Sequence, residues 1–270
     1  MKKQLQQPFI VIALFLIGFL IMDYFEKIAL ELMTEDNVIN ISTKYSIISA
    51  FNILYTLISY WLIKKYKLID LAGLGKHPLK NWFLLLFPLY IVLLNLPDPG
   101  EIDFSSISMM NYIVAVIWVL SIGFSEEYML RGFIQSILLK YYSKSKTKLV
   151  LSVVGAAMIF GVLHLVKFDK GIYGEISQVL YATFIGTMFG ALLLRTHKIW
   201  PLIILHALID LSGNLEYFQS SQIVVNMSSQ SQASLEDSMV NVLILLPCFI
   251  YGLFLLRKVK VEDVQAKIES

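Results

Sequence analysis

Long apolar runs recur along the chain, and short polar or charged stretches separate them. A run of about 20 apolar residues crosses a bilayer as a helix. The pattern predicts an all-α polytopic membrane protein in which short links join the spans into one domain, residues 1–270. The eight predicted membrane-spanning helices are Pro8–Leu32, Tyr45–Ile63, Trp82–Leu96, Asn111–Leu139, Leu149–Val166, Ile176–Leu194, Ile199–Leu215 and Val240–Leu256.

The Lys and Arg residues alternate between the two predicted sides of the membrane. Of the 22 Lys and Arg, 17 lie in the termini and in every second link, and such an excess marks the cytoplasmic side. Both termini are therefore predicted to be cytoplasmic. The cytoplasmic pieces are Met1–Gln7, Lys64–Asn81, Lys140–Lys148, Arg195–Lys198 and Arg257–Ser270. The Ser- and Gln-rich stretch Ser220–Ser238 is predicted to be an extracytoplasmic connector.

Composition agrees with this interpretation. Hydrophobic residues make up 57% of the chain and charged residues 16%, and the mean hydropathy is +0.69. Soluble domains carry about 25% charged residues, and disorder requires low hydrophobicity, so both classes are excluded. A net charge of +2 leaves no excess for binding nucleic acid. The single cysteine, Cys248, excludes an intrachain disulfide.

Ionisable side chains lie well inside only three of the predicted spans. Such groups cost about 2.5–3.5 kcal/mol each on insertion scales, so they indicate a functional site. Packing between membrane helices commonly uses Ser, Thr or Asn instead. The six candidate site residues are Glu126, Glu127, Arg131, His164, His206 and Asp210.

Helical spacing relates these groups to one another. Glu127 and Arg131 are four residues apart on one helix face, which is the geometry of an ion pair. Glu126 points about 100° away from Glu127, so it is available for other chemistry. His206 and Asp210 have the same four-residue spacing, which predicts that the carboxyl group orients the imidazole or shares its target.

Depth in the membrane allows Glu126 and His164 to converge, whereas the shallower His206 and Asp210 require a stagger or tilt of their helix. At 1.5 Å per residue, Glu126 lies about 21 Å from Lys140, and His164 lies about 24 Å from Lys148. The two side chains are therefore predicted to lie at similar depth. Phe160 precedes His164 by one helical turn and is predicted to pack beneath its ring.

Three motifs in order carry a resemblance to a known family. Glu126–Arg131 matches EExxxR, Phe160–His164 matches FxxxH, and His206–Asp210 matches HxxxN/D. With these motifs on three spans, the chain resembles the CAAX protease and bacteriocin-processing (CPBP, or Abi) family over roughly Asp70–Asn214. The family includes type II CAAX prenyl endopeptidases and bacterial relatives that act in peptide maturation and bacteriocin immunity.

The resemblance implies a glutamate-dependent intramembrane endopeptidase. We predict no cofactor and no metal ligand, and whether the activity is independent of metal stays open. The resemblance implies that Glu126 is the general base and that His164 helps to position the water. It further implies that His206 and Asp210 face the substrate carbonyl oxygen. Glu127 and Arg131 would be mainly structural, and the resemblance leaves open whether either also contacts the substrate. Asp210 departs from the Asn of the prenyl-protein proteases, and an ionised Asp cannot donate a hydrogen bond to an oxyanion.

Alternative functions follow from the same residues. Two His and a Glu form a legitimate zinc ligand set, although no HExxH motif is present. A non-enzymatic membrane scaffold or immunity protein would keep the residues without using them. A proton-coupled transporter would more often show internal repeats, and none is visible in the sequence.

The expected partners are the lipid bilayer and a membrane-associated peptide or protein substrate. A second membrane protein as a partner is also compatible with the sequence. The substrate classes left open are a prenylated CAAX protein, a peptide pheromone precursor and a bacteriocin leader. Short Lys-rich loops and abundant Ile, Lys, Asn and Leu favour a multi-pass protein of a bacterial plasma membrane.

Overall fold

The computed structural model describes residues 2–36, 38–98, 100–105, 107–219, 222–224 and 232–269. Helices account for 79% of this part, so the predicted all-α class is confirmed. The first elements are α1 (Lys2–Leu32), β1 (Val38–Asn40), α2 (Ile41–Lys65), a 3₁₀ helix (Trp82–Leu86), α3 (Leu89–Leu94), α4 (Met109–Glu127), a π-helix (Tyr128–Gln135) and α5 (Ser136–Tyr142). They are followed by α6 (Lys146–Leu163), 3₁₀ helix His164–Lys167, α7 (Gly171–Thr196), α8 (Trp200–Asn214), 3₁₀ helix Leu215–Gln219, β2 (Gln222–Val224), α9 (Leu235–Arg257) and α10 (Val261–Glu269).

The two short strands form the one sheet found among the described residues. They pair antiparallel, with Val38 opposite Val224 and Asn40 opposite Gln222. β2 belongs to the Ser- and Gln-rich connector predicted from the sequence. Residues 220, 221 and 225–231 of that connector lie outside the described residues.

Six helices of the described chain, rather than eight, are long and apolar enough to cross a membrane. They are Gln7–Leu32, Ile41–Lys65, Met109–Tyr142, Lys146–Lys167, Gly171–Thr196 and Leu235–Arg257. The predicted span Trp82–Leu96 is broken instead, because Pro88 lacks an amide hydrogen and disfavours helical geometry at Phe87. The predicted span Ile199–Leu215 is the 15-residue α8, about 22 Å long against a hydrocarbon core of about 30 Å.

The described chain divides into two compact units. The first comprises Met1–Ser59, Leu85–Glu127 and Trp200–Met227, and the second comprises Tyr60–Leu84, Tyr128–Ile199 and Ser228–Ser270. The chain passes between the units at five points, one of which follows Glu127 and coincides with the change from α4 to the π-helix.

An aromatic cluster anchors the first unit. The ring of Tyr45 on α2 lies 4.3 Å from Trp118 on α4 and 5.1 Å from Phe218, which follows α8. Asn111 at the start of α4 donates a hydrogen bond to the backbone carbonyl of Phe218 at 3.1 Å. These contacts hold the start of α4 against the end of α8, so the two helices run antiparallel toward the candidate site.

Four of the predicted cytoplasmic pieces meet at one end of the second unit. Lys140 donates to the carbonyl of Tyr66, and the backbone N–H of Lys80 donates to that of Thr196. Gln265 on α10 donates to both oxygens of Ser143 at 3.0 Å. The alternation of Lys and Arg along the sequence predicts that these pieces lie on one side of the membrane, and in the fold they lie together. Assigning that side to the cytoplasm rests on the Lys and Arg distribution.

Lys146 ties the end of α9 to the start of α6. Its ammonium group donates to the backbone carbonyls of Leu256, Arg257 and Val259. These carbonyls lie at the C-terminus of α9, where a cation also complements the helix dipole.

Replacing Lys146 with Met should therefore lower the free energy of unfolding by about 2 kcal/mol, because several charge-assisted hydrogen bonds are lost. Thermal unfolding in detergent measures the effect. Lys144→Met is the matched control, since Lys144 lies exposed in the same connection. Equal losses in the two variants would contradict the capping role.

Candidate functional site

The close approach of α8 to α4 begins at a glycine. A Cβ at Gly123 would lie 2.7 Å from the carbonyl oxygen of Ile203, closer than side chains tolerate. Gly123 therefore lets the two backbones touch one turn before the Glu pair. This contact places His206 of α8 beside Glu126 and Glu127 of α4.

Glu127 holds the imidazole of His206. Its Oε1 lies 2.8 Å from Nδ1 of His206, and the Glu127 side chain is fully buried. The His206 side chain is itself only 13% exposed. A carboxylate at this position accepts a hydrogen bond from Nδ1–H, which fixes the ring plane and directs Nε2 to the other side.

Two further carboxyl groups face Nε2 of His206. Oε2 of Glu126 lies 3.4 Å away and Oδ2 of Asp210 lies 3.8 Å away. The Glu126 side chain is 30% exposed, which leaves it more accessible than Glu127. Oδ2 of Asp210 is buried and makes no hydrogen bond within the described part of the chain. One imidazole is thus surrounded by three carboxyl groups, all in the first unit.

Asp210 is connected to the next turn of its helix through its backbone. Asn214 donates a hydrogen bond from its side-chain amide to the carbonyl oxygen of Asp210 at 2.7 Å. The Asp210 side chain remains directed at the imidazole. The predicted His206–Asp210 proximity is thus present, but the hydrogen bond that orients the ring comes from Glu127.

Arg131 lies in the second unit, on the π-helix that follows Glu127. Its guanidinium donates to the carbonyl of Gly186 at 3.4 Å, and its centre lies 5.5 Å from the ring of Phe160 and 5.3 Å from that of Phe189. Aromatic faces and a carbonyl dipole stabilise a cation that is 2% exposed. Arg131 thus holds the π-helix against α6 and α7.

His164 lies at the end of α6, where the helix passes into a 3₁₀ turn. Its Nδ1 lies 3.0 Å from the carbonyl oxygen of Phe160, and its ring meets that of Phe160 edge-on at 4.7 Å. The predicted packing of Phe160 against His164 is confirmed. A proton on Nδ1 satisfies the carbonyl and leaves the Nε2 lone pair as an acceptor in the neutral ring.

Small residues bring α6 and α7 together around these side chains. A Cβ at Gly161 would lie 2.5 Å from the hydroxyl of Thr183 and from the carbonyl of Val179. Gly161 is therefore a point of close contact between the two helices.

The other two histidines lie at the charged end of the second unit. Nε2 of His77 is 3.2 Å from Oδ1 of Asp70, and the rings of His77 and His197 are 6.2 Å apart. Burial, followed by the nearby Lys267 and Lys80, lowers the pKa of His197 to about 4. His197 is therefore neutral at pH 7.

A zinc-dependent protease, the alternative raised by the sequence, requires several ligand side chains grouped around one point. Across the residues that the structure describes, no group of three or more His, Cys, Asp or Glu side chains is arranged to hold a metal ion.

A comparison with protein families identifies the central part of the chain. Residues 108–212 match the family model described as type II CAAX prenyl endopeptidase Rce1-like. Residues 108–212 form an Rce1-like domain. All six candidate residues lie within this Rce1-like domain, which is narrower than the stretch from Asp70 to Asn214 over which the motifs suggested a resemblance.

Over these residues the chain is similar to CAAX-type prenyl endopeptidases, which supports a membrane protease at the level of the family. With six membrane-spanning candidates, this identifies a multi-pass membrane protein. No curated protein and no solved structure matched the chain.

The sequence pattern does not predict two features of the Rce1-like domain, one contact and one helix type. The four-residue spacing predicts Arg131 as the partner of Glu127, whereas in the structure Oε1 of Glu127 contacts Nδ1 of His206, 79 residues away along the chain. The π-helix after Glu127 was also missed, because the spacing argument assumed a regular α-helix. Gly123, one turn before the Glu pair, was the available signal for close contact with another helix.

Proposed function

We propose that the protein is an intramembrane glutamic endopeptidase that hydrolyses a peptide bond in a membrane-associated peptide or protein. The observation that carries the proposal is the arrangement around His206. Its Nδ1 is held by the buried Glu127 at 2.8 Å, while its Nε2 faces the more accessible Glu126 at 3.4 Å. A base and a preorganised donor thus lie side by side.

Glu126 is the general base in this mechanism. Its carboxylate takes a proton from a water molecule while the water oxygen attacks the scissile carbonyl carbon. The same carboxyl group then gives this proton to the departing amide nitrogen. The C–N bond breaks, and the products are a carboxylate and an amine. Its partial exposure among the carboxyl groups of the site supports this role over Glu127.

His206 stabilises the oxyanion that forms on the carbonyl oxygen. With Nδ1–H donating to Glu127, a second proton on Nε2 makes His206 an imidazolium, which three surrounding carboxyl groups favour. Nε2–H then donates to the oxyanion when substrate is present. A donor that is already oriented costs no reorganisation during the reaction.

The roles of His164 and Arg131 rest on their motifs. His164 polarises the attacking water, with Nε2 available because Nδ1 is engaged by Phe160. Arg131 holds the π-helix against α6 and α7 through Phe160, Phe189 and Gly186. Its role is structural.

A comparison of membrane peptides tests the function even though the substrate is unidentified. Bacterial cells that lack a related protease of their own would express either the wild-type protein or the Glu126→Gln variant. Their membrane peptides would be sequenced by mass spectrometry. New C-termini should appear only with the wild type. Their residues distinguish prenylated CAAX proteins from pheromone precursors and bacteriocin leaders. Identical peptide sets would support a non-enzymatic scaffold or immunity protein instead.

The role of Asp210 is tested by two substitutions. Asp210→Asn should keep substantial activity, because the amide can accept from the imidazole and donate to substrate. Asp210→Leu is nearly isosteric but has neither ability, so kcat should fall about 10²–10³-fold if one oxyanion contact is lost. The measurement is kcat on a peptide identified in the preceding experiment. Full activity of Asp210→Leu would remove Asp210 from the site.

A further inference from the structure

A buried carboxylate outside the three motifs caps the start of α7 from within the helix. Glu175 is 1% exposed, and its Oε1 accepts hydrogen bonds from the backbone N–H groups of Asp169 at 2.8 Å and Lys170 at 2.9 Å. Lys170 is the N-cap residue of α7 and supplies no side-chain cap of its own. Glu175 therefore satisfies two backbone donors that the start of the helix would otherwise leave open.

The segment held by Glu175 is the one that carries His164. α6 ends at Leu163, the 3₁₀ helix runs from His164 to Lys167, and Asp169 follows after a single residue. Only four residues separate His164 from the first amide that Glu175 binds. The position of the 3₁₀ turn therefore depends on both of its ends.

The N-terminal end of the turn is fixed by α6. The backbone N–H of His164 donates to the carbonyls of Gly161 and Val162, and its Nδ1 contacts that of Phe160. The C-terminal end is fixed by Glu175 and by the carbonyl of Lys170, which accepts from the N–H of Ala233 at 3.1 Å. The His164 ring is thus held between two anchored backbone segments.

Burying a carboxylate to cap this helix carries a desolvation penalty. Its Oε2 is buried and makes no hydrogen bond within the described residues, so the charge is compensated mainly at Oε1. An amide oxygen would accept the same two bonds without burying a charge. Hydrogen bonds to a charged acceptor are, however, roughly twice as strong as neutral ones, which makes the turn more rigid.

We propose that Glu175 is a positioning residue for His164, acting through the backbone of the turn between α6 and α7. The inference rests on the proposed function of His164. It extends the machinery to a residue that none of the three motifs contains.

The experiment compares three substitutions at Glu175 with a control on the same helix. Glu175→Gln keeps an acceptor, Glu175→Asp keeps the charge but is one methylene too short, and Glu175→Met removes the acceptor at similar volume. The control is Ser177→Ala, which deletes a buried hydrogen bond from Ser177 to the carbonyl of Ser238 and leaves the turn intact.

Two readouts separate positioning from general stability. The first is the rate at which diethyl pyrocarbonate acylates His164 in the purified protein, quantified by peptide mass spectrometry with the exposed His77 as the internal reference. The second is kcat and KM for one peptide substrate. Asp and Met variants should raise the His164 rate at least fivefold, since the loss of one hydrogen bond already gives about that factor, and leave His77 unchanged. Their kcat should fall about tenfold at constant KM, as for a defect confined to the transition state.

The outcomes distinguish this inference from the proposed function. Ser177→Ala should retain the wild-type His164 rate, and Glu175→Gln, whose neutral amide forms weaker hydrogen bonds, should give a rate between those of the wild type and Glu175→Asp. If Glu175→Met does not fold, Glu175→Asp supplies the same comparison. An unchanged His164 rate in the Asp variant, or an equal rise at His164 and His77, overturns the positioning role. A raised His164 rate in a protein that cleaves no peptide would uphold positioning and contradict the protease instead.

Discussion

Replacing Glu126 with Gln should lower kcat for peptide cleavage by about 10³-fold, within the range that general base catalysis contributes. The amide has nearly the same volume as the carboxyl group but cannot take the proton from water. Binding of the peptide should change little, so KM should stay close to the wild-type value. The measurement is steady-state cleavage by purified protein in lipid nanodiscs.

Glu216→Gln is the matched control for Glu126→Gln. Glu216 is exposed and follows α8 in the same unit, so its replacement makes the same chemical change away from His206. The control should cleave at the wild-type rate, and both variants should unfold at the wild-type temperature. Turnover by Glu126→Gln within threefold of the control would remove Glu126 as the base.

Replacing Glu127 with Leu should lower kcat by about 10³–10⁴-fold, comparable with the loss when the residue that orients a catalytic histidine is changed. The substitution removes the acceptor at 2.8 Å that fixes the ring of His206, so Nε2 is no longer directed toward the substrate. Glu127→Gln retains an acceptor oxygen and should lose less. Kinetics on the same peptide measure the difference.

Stability must be measured beside the activity of the Glu127 variants, since the residue is fully buried. Glu127→Gln should unfold near the wild-type temperature. Equal kcat values for Glu127→Gln and Glu127→Leu would contradict an orienting hydrogen bond and leave Glu127 with a packing role only.

The sequence was informative wherever the determinants are local. Apolar run length predicted the helices, and the four-residue spacing predicted that His206 and Asp210 lie on one face. The same reasoning correctly placed Phe160 against His164, because both residues lie within one helical turn. Pro88 was visible in the sequence, and its effect on a short apolar run explains why Trp82–Leu96 is not a continuous helix.

The contacts that define the candidate site are not local. Glu127 and His206 are 79 residues apart, and their meeting depends on the packing of α4 against α8 at Gly123. The π-helix after Glu127 changes the register of Arg131 in a way that a 3.6-residue period does not describe. Glu175 lies in no charged pattern, because its partners are backbone amides that leave no trace in the side-chain sequence.

The most direct test of the central claim is cleavage of the identified peptide in ¹⁸O-labelled water with hydroxylamine and a zinc chelator present. If Glu126 activates water for direct attack, the chelator leaves the rate unchanged, and the new C-terminus carries one ¹⁸O atom. No hydroxamate should form, since no acyl-enzyme exists for hydroxylamine to trap. Hydroxamate at the cleavage site would reveal a covalent intermediate, and loss of activity with the chelator, restored by zinc, would reveal a metalloprotease. Either result would contradict the glutamate mechanism.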